Sequence, residues 1–298
     1  MATTKIIPGV LDLNEATSES GLKIPTGTNN NRPATDVAGM IRNNTNETSE
    51  GSASCEEYYS GSAWKKINNV APPPPAFGFK NILYSGNSST QAITGVGFKP
   101  DWVWIKERGP AAENHNLIDS TRGTSKILAS NNSNAEFTST RFTSFDTDGF
   151  TLGSDNEIND SGSTYVAWCW KANGGTTESN TNGTITSTVQ ASEGFSIVKW
   201  TGDGNASSTV GHGLNSTPEI IILKDLSNTR DWQVYSSGGG STYKFGGNLN
   251  LGSAFNTSAG TNGAFNDPSS TVINFTNGSS SIDNLNANGA DVIAYCFA

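Results

Sequence analysis

Cysteine is scarce in this chain. Only Cys55, Cys169 and Cys296 occur, with no Cys-x-x-Cys or Cys/His spacing beside them, so no zinc site is expected. Charge is scarce too, at 15% of residues. Classical disorder needs high charge and few aromatics, and this composition offers neither. Long apolar runs are missing. The longest aliphatic run, Ile220 to Leu223, is far too short to span a bilayer, and Met1 to Gly9 holds no apolar stretch of signal-peptide length. The expectation is a soluble protein made in a cytoplasm, without membrane insertion. A net charge of −9 and a pI of about 4.7 repel phosphate backbones, so no nucleic-acid partner is expected.

What fills the 298 residues instead is Asn, Ser, Thr and 33 Gly, with seven Trp, seven Tyr and 13 Phe to build cores. Thr, Val, Ile and Trp in short segments punctuated by Gly predict many short strands and tight turns, an all-β protein. The second part of the chain repeats itself. Phe98-Lys99-Pro100-Asp101-Trp102-Val103-Trp104-Ile105-Lys106 returns in outline as Leu214 to Lys224, and Tyr165-Val166-Ala167-Trp168-Cys169-Trp170 returns as Val292-Ile293-Ala294-Tyr295-Cys296-Phe297. A period of about 120 residues marks a duplicated domain and not a solenoid unit. The strand Trp102–Lys106 is apolar on both faces, which predicts a central, buried position. In the closing strand Ala167 and Cys169 share one face, with Val166, Trp168 and Trp170 on the other. The small face suits close sheet packing, and the aromatic face suits a thicker core or an interface. The predicted architecture is a small N-terminal β module (1–70), a stiff Pro-rich linker (71–76) and two homologous β-sandwiches in tandem (77–172 and 184–298). A flexible Gly/Asn/Thr linker (173–183) is expected between the sandwiches.

Candidate chemistry is thin. His115 lies in a polar turn, and His212 sits in Gly-His-Gly where the first copy has Val96; both are expected as surface or turn residues. No nucleophile elbow accompanies them, so no catalytic residue is assigned. Asp146-x-Asp148-Gly149, with Asp155, Glu157 and Asp160 nearby, offers hard oxygen ligands for calcium. The second copy does not keep these acids, and Asp at turns caps its own backbone, so no metal ligand is assigned. Trp64, Trp168, Trp170 and Trp232 are candidate sugar platforms. Yet Trp102, Trp104, Trp168 and Trp170 are matched by Ile220, Ile222, Tyr295 and Phe297, an exchange that packing permits and stacking does not. Gly238-Gly239-Gly240-Ser241 lacks the Lys and helix of a phosphate cradle. No cofactor is expected.

Two resemblances add to this reading. Leu22-Lys23-Ile24-Pro25-Thr26-Gly27-Thr28, Arg32-Pro33, Gly39-Met40-Ile41-Arg42-Asn43-Asn44-Thr45-Asn46 and Glu56-Glu57-Tyr58-Tyr59-Ser60-Gly61-Ser62-Ala63-Trp64 follow one another in order. This pattern resembles a module of tail-fibre and other virion proteins of tailed bacteriophages. Gly51 to Cys55 departs from it as an inserted turn. Met40, Ile41, Tyr58, Tyr59 and Trp64 are the only core this module offers, too small to stand alone. The repeats resemble a domain found, often duplicated, in virion proteins of marine phages. The likeness rests on Trp102 to Lys106, Ser144 to Gly153, Tyr165 to Lys171 and Tyr295 to Ala298, and it carries over no functional residue. The resemblances imply a non-enzymatic tail-fibre or tail-spike component located in the virion. It would be held to other virion proteins by its N-terminal module, trimeric, and able to bind a host surface glycan or protein. The alternatives are a capsid or tail decoration protein and a carbohydrate-active enzyme.

Overall fold

The computed structural model describes residues 26–27, 41–44, 55–59, 62, 64–66, 78–109, 113–237, 245–252, 266–275 and 283–298. The chain divides into two compact units, Met1–Pro73 and Pro74–Ala298, and the division falls within the proline run.

The first unit holds β1 (Thr26–Gly27), β2 (Ile41–Asn44), β3 (Cys55–Tyr59) and β4 (Trp64–Lys66) in one sheet in that order. β1 runs parallel to β2, and the rest is antiparallel. Cys55 pairs with Asn44 and Tyr58 with Ile41, which gives the register that the inserted turn obscured. Ile41, expected in the core, is instead 48% exposed. Among the described residues of this unit no second layer covers its sheet, so an apolar side chain there remains in water.

The second unit is almost all β. The first repeat comprises β5 (Phe79–Ser85), β6 (Gln91–Thr94), β7 (Trp102–Glu107), β8 (Asn116–Asp119), β9 (Lys126–Ile127), β10 (Phe137–Thr138), β11 (Phe142–Asp146), β12 (Gly149–Leu152), the single-turn α1 (Asn156–Asn159) and β13 (Thr164–Trp170). The second comprises β14 (Glu178–Asn180), β15 (Ser187–Ser192), β16 (Phe195–Thr201), β17 (Thr209–Gly211), β18 (Ile220–Asp225), β19 (Gln233–Ser236), β20 (Phe245–Asn248), β21 (Val272–Asn274), α2 (Asp283–Asn286) and β22 (Asp291–Phe297). The large sheet of the first repeat runs β5-β13-β7-β8, and that of the second runs β14-β15-β16-β22-β18-β19-β20.

Strand register makes the duplication explicit. Cys169 pairs with Val103, and Cys296 pairs with Ile221; Trp170 pairs with Trp102 and Phe79, and Phe297 with Ile220 and Phe195. The Trp102/Ile220 and Cys169/Cys296 equivalences read from the sequence therefore hold residue for residue.

Each large sheet packs one face on a small sheet of its own repeat. In the first repeat Val103, Ile105, Ala167 and Cys169 meet Ile93, Phe142, Phe150 and Leu152; in the second, Ile221, Leu223, Ala294 and Cys296 meet Val210 and Ile273. The two aromatic faces then pack on each other. Trp102, Leu117, Phe195, Ile197, Trp232, Ile293 and Tyr295 form a third core that belongs to both repeats. The aromatic face, expected to fill a thicker core or an interface, thus joins the two repeats. Four layers share three cores, because an exposed face of Trp102, Trp104 and Trp170 would leave several large apolar side chains in water.

The connector departs from expectation. Residues 173–183 are not a free spacer. The N–H groups of Ala172 and Gly174 both donate to the buried Asp101 carboxylate, at 2.7 and 2.8 Å, and Gly175 N–H donates to Gln190 Oε1. Glu178–Asn180 then forms β14 and extends the second large sheet.

Cys169 and Cys296 are free and wholly buried, one in each inner core. Burial pushes each thiol up to about 12, and the thiolate is the reactive species. In native protein at pH 8 both thiols are therefore expected to resist Ellman's reagent and to react within minutes of unfolding. Rapid modification of either one in the folded state, read by peptide mass mapping, would overturn this placement.

Candidate binding groove in the second repeat

Among the described residues the second repeat alone carries further strands beyond the opening strand of its large sheet. In the first repeat β5 ends the sheet among the described residues, whereas the equivalent β16 is covered by β15 and β14. The β14–β15 hairpin also reaches across to the small sheet. Ile185 N–H donates to Thr209 O at 3.0 Å, and Ser187 Oγ donates to Gly211 O at 2.7 Å. A Cβ on Gly211 would crowd the Asn180 side-chain amide, which would have to swing aside. Between the hairpin and the loops at Gly213–Asn215 and Ser270–Thr271 lies a groove of about 440 Å³. Val189 and Leu214 are buried at its floor, and Asn180, Asn182, Asn215, Ser179 and Ser270 supply its polar walls. Glu178 is the only ionisable residue in the lining.

His212 ties the two loop walls together. It is fully buried, not on the surface as expected from its Gly-His-Gly setting. Its Nδ1 accepts from Leu214 N–H at 3.1 Å, which leaves Nε2–H to donate to Ser269 O at 3.1 Å. Burial holds its pKa below the ordinary histidine value, so the ring stays neutral. The first repeat makes the same tie differently. There the Asp148 carboxylate accepts from Gly95 N–H at 3.0 Å and Gly97 N–H at 2.6 Å, which keeps its pKa below the usual carboxylate range.

The other acids read as possible calcium ligands are also occupied locally. Asp146 accepts from Thr151 Oγ1, Asp155 caps α1 by accepting from Glu157 N–H, and Glu157 and Asp155 both pair with Arg141. Asp160 follows α1 as its C-cap. Among the described residues no group of three or more His, Cys, Asp or Glu is gathered to hold a metal ion. His115 is half-buried, and its Nδ1 accepts from Trp104 Nε1–H at 2.8 Å. Burial, with Lys106 nearby, lowers its pKa. Trp232 is fully buried with its N–H on Ala129 O, Trp170 packs against the shared core, and Trp168 lies edge-on to Trp104. The Trp64 side chain and Gly238–Gly240 lie outside the described residues.

The compact unit of paired repeats begins at Pro74 and ends at Ala298. A family described as a domain of unknown function, DUF7483, matches residues 74–298. The chain belongs to that family. The DUF7483 unit thus coincides with the fused pair of repeats and not with a single copy, as the shared core requires. No curated protein and no solved structure matches the chain.

Within the DUF7483 unit the copies share more polar residues than the sequence comparison suggested. Asn159 and Asn286 are both fully buried, each ten residues before its core cysteine. Asn159 accepts from Asn87 N–H and donates to Ser89 O and Gly153 O; Asn286 accepts from Asp203 N–H and donates to Asn205 O. Each locks the Gly-led turn after the opening strand. Acids are also retained at matching places in the buried strands, at Glu107 and Asp225. Glu107 accepts from Ser163 Oγ, and Asp225 accepts from Ser227 and Asn228 N–H groups. Constant spacing was the available signal: Asn159 and Asn286 stand ten residues before Cys169 and Cys296, and Glu107 and Asp225 five residues after Trp102 and Ile220.

Proposed function

We propose that this chain is a non-enzymatic structural protein of a phage virion, a tail-fibre or tail-spike component that takes part in host-surface attachment. The observation that carries the reading is the contrast between the copies. Their shared buried side chains hold strands and turns, whereas the groove is built on a hairpin that, among the described residues, only the second copy has. Binding surfaces characteristically lie on such variable segments over a rigid scaffold. The ordered pattern from Leu22 to Trp64 supports attachment to the particle through the first unit, and trimerisation would present three grooves together. Weak contacts at three sites then add through effective concentration.

Sedimentation of the full chain at micromolar concentration is expected to give a trimer, and a stable monomer would sink that part. Particles carrying this chain, labelled with an antibody against the paired repeats, should show gold on the tail. Gold on the head surface would favour a decoration protein instead.

A further inference from the structure

The groove has free recognition groups and no packing duty that uses them. Among the described residues the side chains of Ser179, Asn182, Asn215 and Ser270 make no hydrogen bond within the chain, yet they converge on one concavity. We infer that this groove binds a neutral saccharide, held by side-chain amides and hydroxyls above an apolar floor. The inference deepens the attachment reading and rests on it for the origin of the sugar on a host surface.

Four observations select this ligand class. The volume of about 440 Å³ is within the range of small-molecule sites and accommodates a short oligosaccharide. The walls offer both donors and acceptors, because each amide supplies an N–H pair and a carbonyl, and each hydroxyl can do either. A polyol presents the same mixture, while a purely apolar ligand would strip water from these groups without replacing it. Charge excludes other classes. Among the described residues no Lys or Arg lines the groove and Glu178 stands at it, so a phosphate, sulfate or carboxylate ligand would find no cation to pair with and one acid to repel it. Val189 and Leu214 lie beneath the polar walls, where the C–H groups of a sugar ring would rest.

The site is also pre-formed. His212 fixes Leu214 and Ser269 in the two loop walls, and the bonds from Ile185 N–H to Thr209 O and from Ser187 Oγ to Gly211 O hold the hairpin against the small sheet. A pre-organised site loses less entropy when the ligand arrives. With no aromatic platform among the described lining residues, single-site affinity is expected at about the millimolar level. Avidity from several grooves would then supply the strength that one site lacks.

The test uses the full chain labelled with nitrogen-15, titrated with the methyl glycosides of glucose, galactose and mannose, with N-acetylglucosamine and with glucose 6-phosphate. It is paired with an array of neutral and acidic glycans. At least one neutral sugar should shift the amides of Asn180, Asn215 and Thr271 saturably, and glucose 6-phosphate should not. The pair Asn215→Ala and Ser270→Ala is expected to weaken binding by about tenfold. Its melting temperature should not change, since both side chains are exposed and unbonded. The proposal is overturned if no neutral glycan binds, if only acidic ones do, or if the shifts survive the double substitution. Antibody labelling of the tail without neutral-glycan binding removes the saccharide and leaves the attachment role. Glycan binding with labelling of the head does the reverse.

Discussion

Replacing Trp102 with alanine is expected to lower the stability of the paired-repeat unit by about 3–5 kcal/mol, the range for deleting a large buried aromatic. Trp102 is fully buried although its strand belongs to the first repeat. Its indole stacks on Tyr295 of the second repeat at 4.0 Å with 8° between planes, and on Trp170 at 4.3 Å; Phe195 lies 5.9 Å away. Removing it opens a cavity between two sheets whose backbones are fixed by their own ladders, so little collapse can offset the loss. Aromatic pairing adds about 0.5–1.5 kcal/mol per pair beyond area burial.

Trp102→Phe is expected to cost much less. The indole N–H has no acceptor among the described residues, so phenylalanine discards no hydrogen bond and removes a buried unpaired donor. Urea denaturation followed by near-ultraviolet circular dichroism checks both. The alanine variant should unfold in one transition shifted to lower urea. Loss of the first repeat alone, with the second keeping its midpoint, would mean that the shared core does not couple the copies.

Much of this arrangement was legible because strand pattern and copy comparison report on packing. Alternation along Tyr165–Trp170 placed Cys169 and Trp170 on opposite faces, and the register of β13 with β7 places them so. An aromatic face suited to an interface met the matching face of the other copy. What stayed hidden depends on contacts distant in sequence. Composition made residues 173–183 a flexible linker, since nothing local shows that Asp101, some seventy residues earlier, accepts from Ala172 and Gly174. His212 read as a turn residue because glycines flank it. Gly213 takes φ +75°, and the backbone there turns so that Leu214 N–H reaches back to the ring. Ile41 read as core because an apolar residue in a strand ordinarily has a covering layer. The groove could not be foreseen from any motif, since its lining gathers residues from 173 to 271.

Arg122 left no mark in the copy comparison because it acts between the copies, and its substitution carries the second large expected effect. Its side chain is 1% exposed. The guanidinium donates to Asp119, to Glu136 at 3.1 Å, to Leu117 O at 3.2 Å and to the Tyr295 hydroxyl of the other repeat at 3.4 Å. Tyr295 in turn donates to Asp119 at 2.8 Å, which closes a buried ring across the shared core. Burial opposes the charge on Arg122, but Asp119, Tyr295 and Glu136 outweigh it and hold the guanidinium protonated. Arg122→Met removes the cation and leaves Asp119 buried with one partner fewer, a change worth about 3–5 kcal/mol when a buried pair is broken. Arg122→Lys should rescue little, because a single ammonium cannot reach Asp119, Glu136 and Leu117 O at once. Adding Asp119→Asn to Arg122→Met should recover part of the loss, since the stranded charge is then gone. Chemical denaturation of the three variants and the wild type measures this coupling. A double variant no more stable than Arg122→Met alone would show that the guanidinium acts by filling space and not by neutralising Asp119.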